Sequence, residues 1–300
     1  MIAGALNVLK PPGMTSHDVV DFVRRWVPRR TRVGHAGTLD PGAAGVLIVC
    51  VGGATRLTEY VMEGDKAYRA EVALGVVTDT LDADGAVVAE ADASAWTEAD
   101  VRFALAERVG PQMMAPPMYS AARVGGERLY DLARRGETAE PEPRPVVVHS
   151  AELIAFHPGP RARALADIRC SKGTYIRVLA AGLGERLGVG AHLSFLVRTA
   201  VGPHRLEAAV TLEEIAEAAE RGDLDDLCLT PSAALAHWPE VRLGAGAALL
   251  FQRGGAAPCD SDAVGLVRVS GPNGDLIGVG EVIADTVGTS LRPRKVLAPS

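Results

Sequence analysis

Residues 34–51 have the sequence GHAGTLDPGAAGVLIVCV, a glycine-rich turn followed by an apolar run. Four glycines, a proline and a single carboxylate, Asp40, precede an apolar and largely β-branched run at residues 46–51. Glycine permits tight turns, and Pro41 restricts Asp40 to an extended conformation. The apolar run is typical of a buried strand. Asp40 is therefore either a catalytic group on a stiff turn or a turn residue that bonds its own backbone.

The composition predicts a globular protein. Its 300 residues are 48% hydrophobic, which suffices for a sizeable core and suggests one large domain with a smaller one. The apolar runs are far shorter than the ~20 residues that span a bilayer, and the N-terminus lacks a signal-peptide pattern. We therefore expect a cytoplasmic protein without a membrane segment. The four cysteines match neither a disulfide framework nor a zinc site; they are Cys50, Cys170, Cys228 and Cys259.

The formal net charge of −6 hides a segregation of charge along the chain. Residues 79–100 hold seven carboxylates and no Lys or Arg, whereas residues 22–35 hold five arginines and no carboxylate. Two further basic groups are Arg161, Arg163, Arg169, Lys172 and Arg177, and Arg292, Arg294 and Lys295. Such groups form either an RNA-binding face or ordinary solvated surface charge.

Three helices are predicted from capping boxes, in which a Thr and an acidic residue three positions later cap the same helix start. The pairs are Thr15 and Asp18, Thr97 and Asp100, and Thr211 and Glu214. A fourth helix is predicted to be capped by Thr174. It carries Arg177 in its first turn, where a cation opposes the helix dipole. Arg177 therefore has either a specific anionic partner such as Asp40, or no role beyond the surface.

Strands are predicted between these helices. Alternation over residues 66–76 indicates a half-buried strand with Tyr68 on its apolar face, where a packed core tyrosine is the ordinary interpretation. Other strands are expected at residues 146–156, 162–170 and 192–201, with a hairpin turned at Asn273-Gly274. The acidic turn TDTLDADG (78–85) lacks the downstream Glu of a calcium loop, so no metal site is predicted there.

The pattern also divides the chain into domains. Residues 111–145 contain six prolines and a short basic helix, which favours an RNA-gripping insertion over an ordinary connector. After Pro231 the short strands and many glycines indicate a small β-rich module. We therefore predict a large domain at residues 1–230, which contains the excursion at 111–145, and a small domain at 231–300.

Five stretches of the chain resemble the bacterial tRNA pseudouridine-55 synthases, the TruB family. They are LKPPGMTS (9–16), GHAGTLDPGAAGVL (34–47), KAYRAEVALGVVTDTLDADG (66–85), PPMYSAARVGGERLYDLARRG (116–136) and CSKGTYIRVLAAGLGERLG (170–188). In addition, GLVRVSGPNGDLIGVGEV (265–282) is similar to the family's PUA-like RNA-binding module. The resemblance implies that residues 1–230 form a catalytic domain with an α+β fold, in which helices flank a mixed, mainly antiparallel sheet. It also implies that the insertion at 111–145 clamps the tRNA arm and that residues 231–300 form a PUA-like domain.

The resemblance also implies roles for individual residues. Asp40 would be the essential catalytic aspartate, Tyr68 would stack on the target base, and Arg177 would pair with Asp40 and keep it ionised. Leu196 would shape the base pocket, and His35 would fill the space left by the flipped nucleotide. The remaining substrate-binding residues would be Lys10, Gly37, Thr38, Lys172 and Tyr175.

The implied reaction is the isomerisation of uridine-55 in the T-loop of tRNA to pseudouridine, by a monomer that binds the T-arm. Because the reaction involves no net redox change, we expect neither a cofactor nor a metal. Two other classes are considered. A base-excising glycosidase needs a second carboxylate, for which the sequence offers no convincing candidate near Asp40. A non-catalytic tRNA-binding or tRNA-folding module would not require Asp40, Tyr68 and Arg177 together.

Overall fold

The computed structural model describes residues 3–285 and 288–297. Its strands are β1 (Gly4–Lys10), β2 (Val33–Ala36), β3 (Ala44–Val51), β4 (Lys66–Leu74), β5 (Val76–Thr78), β6 (Val87–Glu90), β7 (Gly110–Met114), β8 (Arg123–Val124), β9 (Glu127–Arg128), β10 (Arg144–His157), β11 (Arg163–Cys170), β12 (Ala191–Val201), β13 (His204–Arg205), β14 (Glu240–Arg242), β15 (Ala257–Pro258), β16 (Gly265–Ser270), β17 (Leu276–Asp285) and β18 (Gly288–Val296). Its α-helices are α1 (Ser16–Arg25), α2 (Thr58–Val61), α3 (Glu98–Ala106), α4 (Leu129–Arg134), α5 (Ile176–Arg186), α6 (Leu212–Arg221), α7 (Pro231–Ala234) and α8 (Ala245–Gln252). Short 3₁₀ helices cover Gly52–Leu57, Leu206–Ala208 and Leu224–Leu227.

Nine strands form one large sheet. Its path runs β1-β3-β12-β4-β11-β10-β7, with β2 added to β3 and β13 added to β12. The strand pairs are antiparallel except for β12 and β3, which are parallel. The predicted mixed, mainly antiparallel sheet is confirmed. This order places β12, which carries Leu196, between the strand after the Asp40 loop and the strand that carries Tyr68.

The parallel contact between β3 and β12 depends on Gly45. This glycine lies opposite Arg198 and has a φ of 111°. A Cβ atom at this position would lie 2.2 Å from the carbonyl oxygen of Arg198. Because a side chain fits neither this φ nor this distance, the position requires glycine. The glycine-rich stretch thus allows the two halves of the sheet to join beside the Asp40 loop.

The helices pack on the sheet through buried apolar side chains. Helices α3 and α5 contribute Val101, Leu105 and Leu183 to a core shared with Val72 of β4. Helices α1 and α6 pack in a second core with β1 and β3. All three predicted capping boxes are present, which confirms the starts of α1, α3 and α6. No helix within the described residues is long and apolar enough to cross a membrane.

The start of α5 differs from the prediction. The cap residue is Tyr175, and no side chain caps the helix. The hydroxyl of Thr174 instead donates to the carbonyl oxygen of Ser171, 2.9 Å away. Gly173, with a φ of 82°, turns the chain between these residues. The Thr174 side chain therefore closes the turn that precedes the helix, so the predicted Thr174 cap is wrong.

A smaller β-rich unit follows the large sheet. Its five strands have the order β14-β16-β17-β18-β15 and pack with α8 around a separate core. The predicted hairpin is confirmed, since Gly274 turns the chain between β16 and β17 with a φ of 86°. Val279 of this unit packs in one cluster with Val61 and Leu235, which joins the two units through apolar contacts. The domain boundary at residue 231 stays a prediction.

Candidate active site

The side chain of Lys10 holds the loop that carries Asp40. Its side chain is fully buried, and Nζ donates to the carbonyl oxygens of Pro11, Pro41 and Ala43 at 2.9, 3.2 and 2.7 Å. Burial lowers the pKa of the ammonium to about 8, an effect that the carboxylate of Asp40 opposes. The predicted contact of Lys10 with substrate does not fit this position, because the ammonium is enclosed and occupied by carbonyl groups. In the structure, its three hydrogen bonds hold the loop in place.

Arg198 holds the other side of the same loop. It is 2% exposed and donates to the carbonyl oxygens of Gly37, Thr38 and Val46 at 3.1, 3.2 and 2.8 Å. Arg198 was not among the predicted site residues. The sequence did contain a signal for it, namely an arginine in the middle of a mostly apolar strand. Burial of such a charge is unfavourable unless several hydrogen bonds compensate for the lost water.

Arg177 connects Asp40 to a second carboxylate. Its Nη2 lies 3.1 Å from Oδ2 of Asp40, and its Nη1 lies 3.1 Å from Oδ2 of Asp82. The same guanidinium donates to the carbonyl oxygens of Thr80, at 3.1 Å, and Tyr119, at 2.7 Å. The predicted contact of Arg177 with Asp40 is thus present. Asp82 was missed because the acidic turn that contains it was considered only as a metal loop.

The electrostatics of this group differ from the expectation. The Asp40 side chain is 46% exposed, and the surrounding protein removes part of the water from its carboxyl; this partial desolvation raises its pKa above the ordinary value of an aspartic acid. The charge of Arg177 lowers the pKa and the carboxylate of Asp82 raises it, but both act less strongly than desolvation. Arg177 therefore only limits the upward shift of the pKa.

A cavity of about 680 Å³ opens in front of Asp40. Its wall contains eight of the ten predicted site residues: Gly37, Thr38, Asp40, Tyr68, Lys172, Tyr175, Arg177 and Leu196. These side chains come from the Asp40 loop, β4, the turn before α5, α5 itself and β12. The cavity has the size of a typical small-molecule site. Burial raises the pKa of the Tyr68 phenol, and the nearby charge of Arg198 opposes this shift, so the phenol is neutral at pH 7.

His35 and Lys10 are the two predicted site residues outside the cavity wall. His35 lies half-buried in β2, opposite Val49 of β3. Its Nδ1 is buried without a hydrogen-bond partner among the described residues. Burial and the charge of Arg198 lower the pKa of the imidazole, so the ring is neutral at pH 7. The strand places His35 two residues before the loop that forms the cavity wall.

Comparison with known proteins agrees with this geometry. The family model described as TruB family pseudouridylate synthase (N-terminal domain) matches residues 24–176, which contain both the Asp40 loop and the Tyr68 strand. The chain belongs to the TruB family. A second model, described as tRNA pseudouridylate synthase B C-terminal domain, matches residues 177–235. Members of the TruB family are pseudouridine synthases, and the enzyme is therefore an isomerase.

Relatives of this TruB-family chain are similar over most of its length. The tRNA pseudouridine synthase B of Symbiobacterium thermophilum is 57% identical over 82% of this chain and 80% of that protein. The tRNA pseudouridine synthase B of Moorella thermoacetica is 48% identical over 99% of this chain and 100% of that protein. Among solved structures, a crystal structure of a Cbf5-Nop10-Gar1 complex contains a chain with a TM-score of 0.77 and 26% identity. That match covers 99% of this chain and 85% of the other, so the shared fold includes the small β-rich unit.

The basic groups of the TruB-family chain differ in how they are neutralised. Members of the second and third groups pair with carboxylates at 2.5–2.8 Å: Arg161 with Glu90, Arg163 with Glu71, Arg169 with Asp65, Lys172 with Glu63 and Lys295 with Glu59. The five arginines of residues 22–35 are all exposed, and among the described residues only Arg24 pairs with a carboxylate, that of Asp21. The first group is therefore the most available positive surface.

Proposed function

We propose that this protein is a tRNA pseudouridine synthase that isomerises uridine-55 in the T-loop, with Asp40 as the catalytic carboxylate. The main support is the position of Asp40 in the wall of a nucleotide-sized cavity. There it forms an ion pair with Arg177 and shares the wall with Tyr68. The tRNA substrate is supported by two relatives named tRNA pseudouridine synthase B, to which this chain is similar over most of their length.

The reaction breaks the N1–C1′ bond of uridine and forms a C5–C1′ bond after the base has turned. C5 loses its proton and N1 gains one, so the atoms balance within the substrate and its surrounding water. Asp40 can attack C1′ as a nucleophile, or it can act as a base and stabilise a glycal-type intermediate. Both routes require the ionised carboxylate. Neither route changes the oxidation state of the uridine, so the chemistry calls for no redox cofactor.

Tyr68 supplies the face on which the target base can stack. A uridine within a folded loop must be flipped out, at a cost of a few kcal/mol. Stacking on an aromatic ring contributes ~1–3 kcal/mol per base and offsets part of that cost. Leu196 lies in the same wall and supplies an apolar surface next to the ring. The neutral His35 would occupy the stack that the uridine leaves.

Exposed arginines outside the cavity support an RNA substrate. The exposed arginines of residues 22–35 offer a surface for phosphates, as do the exposed Arg123, Arg128 and Arg134 of the insertion. Arginine is well suited to this purpose because its planar fork matches phosphate oxygens. We infer that the insertion at 111–145 grips the T-arm and that residues 231–300 form a PUA-like RNA-binding domain. We also infer a cytoplasmic monomer.

The decisive experiment is to incubate unmodified tRNA with the purified protein alone and to map pseudouridine along the RNA. Pseudouridine at position 55 is the expected result, and it must disappear in a transcript with cytidine at that position. A folding module without catalytic activity would bind this RNA and leave it unmodified. Release of free uracil would identify a glycosidase instead. Pseudouridine at another position would refute the assignment to uridine-55.

A matched variant tests the assignment of Asp40. Asp167→Asn removes a carboxylate that pairs with Arg69 on the exposed side of the sheet, 2.7 Å away. Arg69 follows Tyr68 directly, so the two side chains point to opposite faces of β4. We expect full activity from Asp167→Asn and none from Asp40→Asn. Equal activity in the two variants would exclude the proposed role of Asp40.

A further inference from the structure

An ion pair between Lys172 and Glu63 connects two segments of the cavity wall. Nζ of Lys172 lies 2.5 and 2.6 Å from the two carboxylate oxygens of Glu63. Glu63 belongs to the turn between α2 and β4, whereas Lys172 belongs to the turn between β11 and α5. Both residues line the cavity, and their side chains are 36% and 56% exposed. We call these two residues the rim pair.

The backbone on the Glu63 side of the rim pair is fixed. The buried ammonium of Lys66 donates to the carbonyl oxygen of Gly64, at 2.7 Å, and to that of Met62. These carbonyl groups lie on either side of Glu63. The indole of Trp238 donates to the carbonyl oxygen of Tyr60 at 3.2 Å and ties the same segment to the C-terminal part of the chain. The Glu63 side chain can therefore move while its backbone stays in place.

Three other cations of the cavity wall are already engaged. Lys66 and Arg198 donate to backbone carbonyl groups, and Arg177 bonds Asp40 and its acidic neighbour. Arg144 makes no ion pair with the residues that the structure describes, so it is available to a phosphate. Lys172 becomes available only after it separates from Glu63.

We propose that Glu63 tunes the affinity for RNA, because its carboxylate holds Lys172 until a phosphate of the RNA strand takes its place. This inference rests on the proposed function. An exposed ion pair contributes little in water, so a phosphate that is positioned by the rest of the RNA can displace the carboxylate. A free nucleoside carries no phosphate to do so. The rim pair thus lowers the affinity for RNA, whereas the affinity for an isolated nucleoside, which does not separate the pair, is unchanged.

The inference predicts a specific coupling between the two residues of the rim pair. In the wild type, Lys172 loses Glu63 when it binds a phosphate, so its net contribution to RNA affinity is small. Without Glu63, Lys172 contributes its phosphate contact in full. Lys172→Met should therefore weaken RNA binding more in a Glu63→Gln background than in the wild-type background.

The test measures the Kd of a T-arm RNA hairpin at low salt, with Asp40→Asn in every variant so that no turnover occurs. We expect Glu63→Gln to bind the hairpin about 2–5-fold more tightly, which corresponds to the strength of an exposed ion pair. Glu107→Gln is the matched control, since Glu107 pairs with Arg186 at 2.7 Å with side chains 39% and 49% exposed. It removes the same charge and should change the Kd less.

Two outcomes would overturn the inference. In the first, Glu63→Gln binds no more tightly than Glu107→Gln, so the rim pair does not compete with the RNA. In the second, Lys172→Met weakens binding equally in both backgrounds, so Lys172 stays with Glu63 in the complex. Turnover by the wild-type protein is measured in parallel. Its absence would refute the proposed function, whereas normal turnover with either outcome refutes only the role of Glu63.

Discussion

Asp40 and Arg177 form an ion pair in which only one partner is open to solvent. The carboxylate of Asp40 lies 3.1 Å from the guanidinium, and its side chain is 46% accessible, against 6% for Arg177. The buried cation is bonded on several sides and cannot move freely. The carboxylate therefore faces the cavity with a defined orientation, which is what a reaction at one carbon atom of a bound sugar requires.

Asp40→Asn should abolish pseudouridine formation without lowering the stability of the protein. Desolvation raises the pKa of Asp40, so folding favours its protonated form, and this contribution to stability is lost as the pH rises through the raised pKa. At pH 7 the wild-type carboxylate is therefore a cost to folding that the neutral amide lacks. Thermal unfolding at pH 7 should give a Tm equal to or above that of the wild type. A markedly lower Tm would contradict the direction of the pKa shift.

The pH dependence of the reaction should show how the charges next to Asp40 change its pKa. Because the ionised form is required, the single-turnover rate should rise with pH through the raised pKa of Asp40. Asp82 raises that pKa and Asp84 raises it less. Asp82→Asn should therefore move the acidic limb to lower pH, and Asp84→Asn should move it in the same direction by less. A shift to higher pH in either variant would be inconsistent with like-charge repulsion.

Lys10→Met should destabilise the protein and slow the reaction without a direct effect on RNA contacts. The substitution removes the donor to three carbonyl groups and releases the loop that positions Asp40. We expect a loss of about 2–4 kcal/mol in the free energy of unfolding, since buried carbonyl groups lose their partners. Denaturant unfolding measures the first effect and single-turnover kinetics the second. A Kd for RNA that weakens in proportion to the rate would instead favour a direct contact.

Gly45→Ala should be far more destabilising than Gly34→Ala. A methyl group at residue 45 would meet the Arg198 carbonyl oxygen at 2.2 Å, with a φ of 111° that alanine rarely adopts. At residue 34 the same methyl group has no neighbour within 4 Å. We expect a loss of at least ~3 kcal/mol for the first variant and less than ~1 kcal/mol for the second. Comparable unfolding midpoints would show that the β3 and β12 contact tolerates a side chain.

Much of the architecture was predictable because it depends on local patterns. The capping boxes at Thr15, Thr97 and Thr211 involve residues three positions apart, and each marks a helix start correctly. The apolar run at residues 46–51 is a fully buried strand, as its composition indicates. The cap at Thr174 was predicted wrongly, because a competing hydrogen bond to Ser171 depends on the path of the preceding turn.

Local periodicity and contiguous motifs were sufficient to predict most helices and strands, the family resemblance, and Asp40, Tyr68 and Arg177 as candidate site residues. Three features became visible only in the folded chain: Asp82 shares Arg177 with Asp40, Lys10 and Arg198 hold the loop, and Glu63 meets Lys172. These contacts join segments that lie far apart in the chain. Burial and charge balance depend on which segments meet in space, so neither can be obtained from one stretch of sequence.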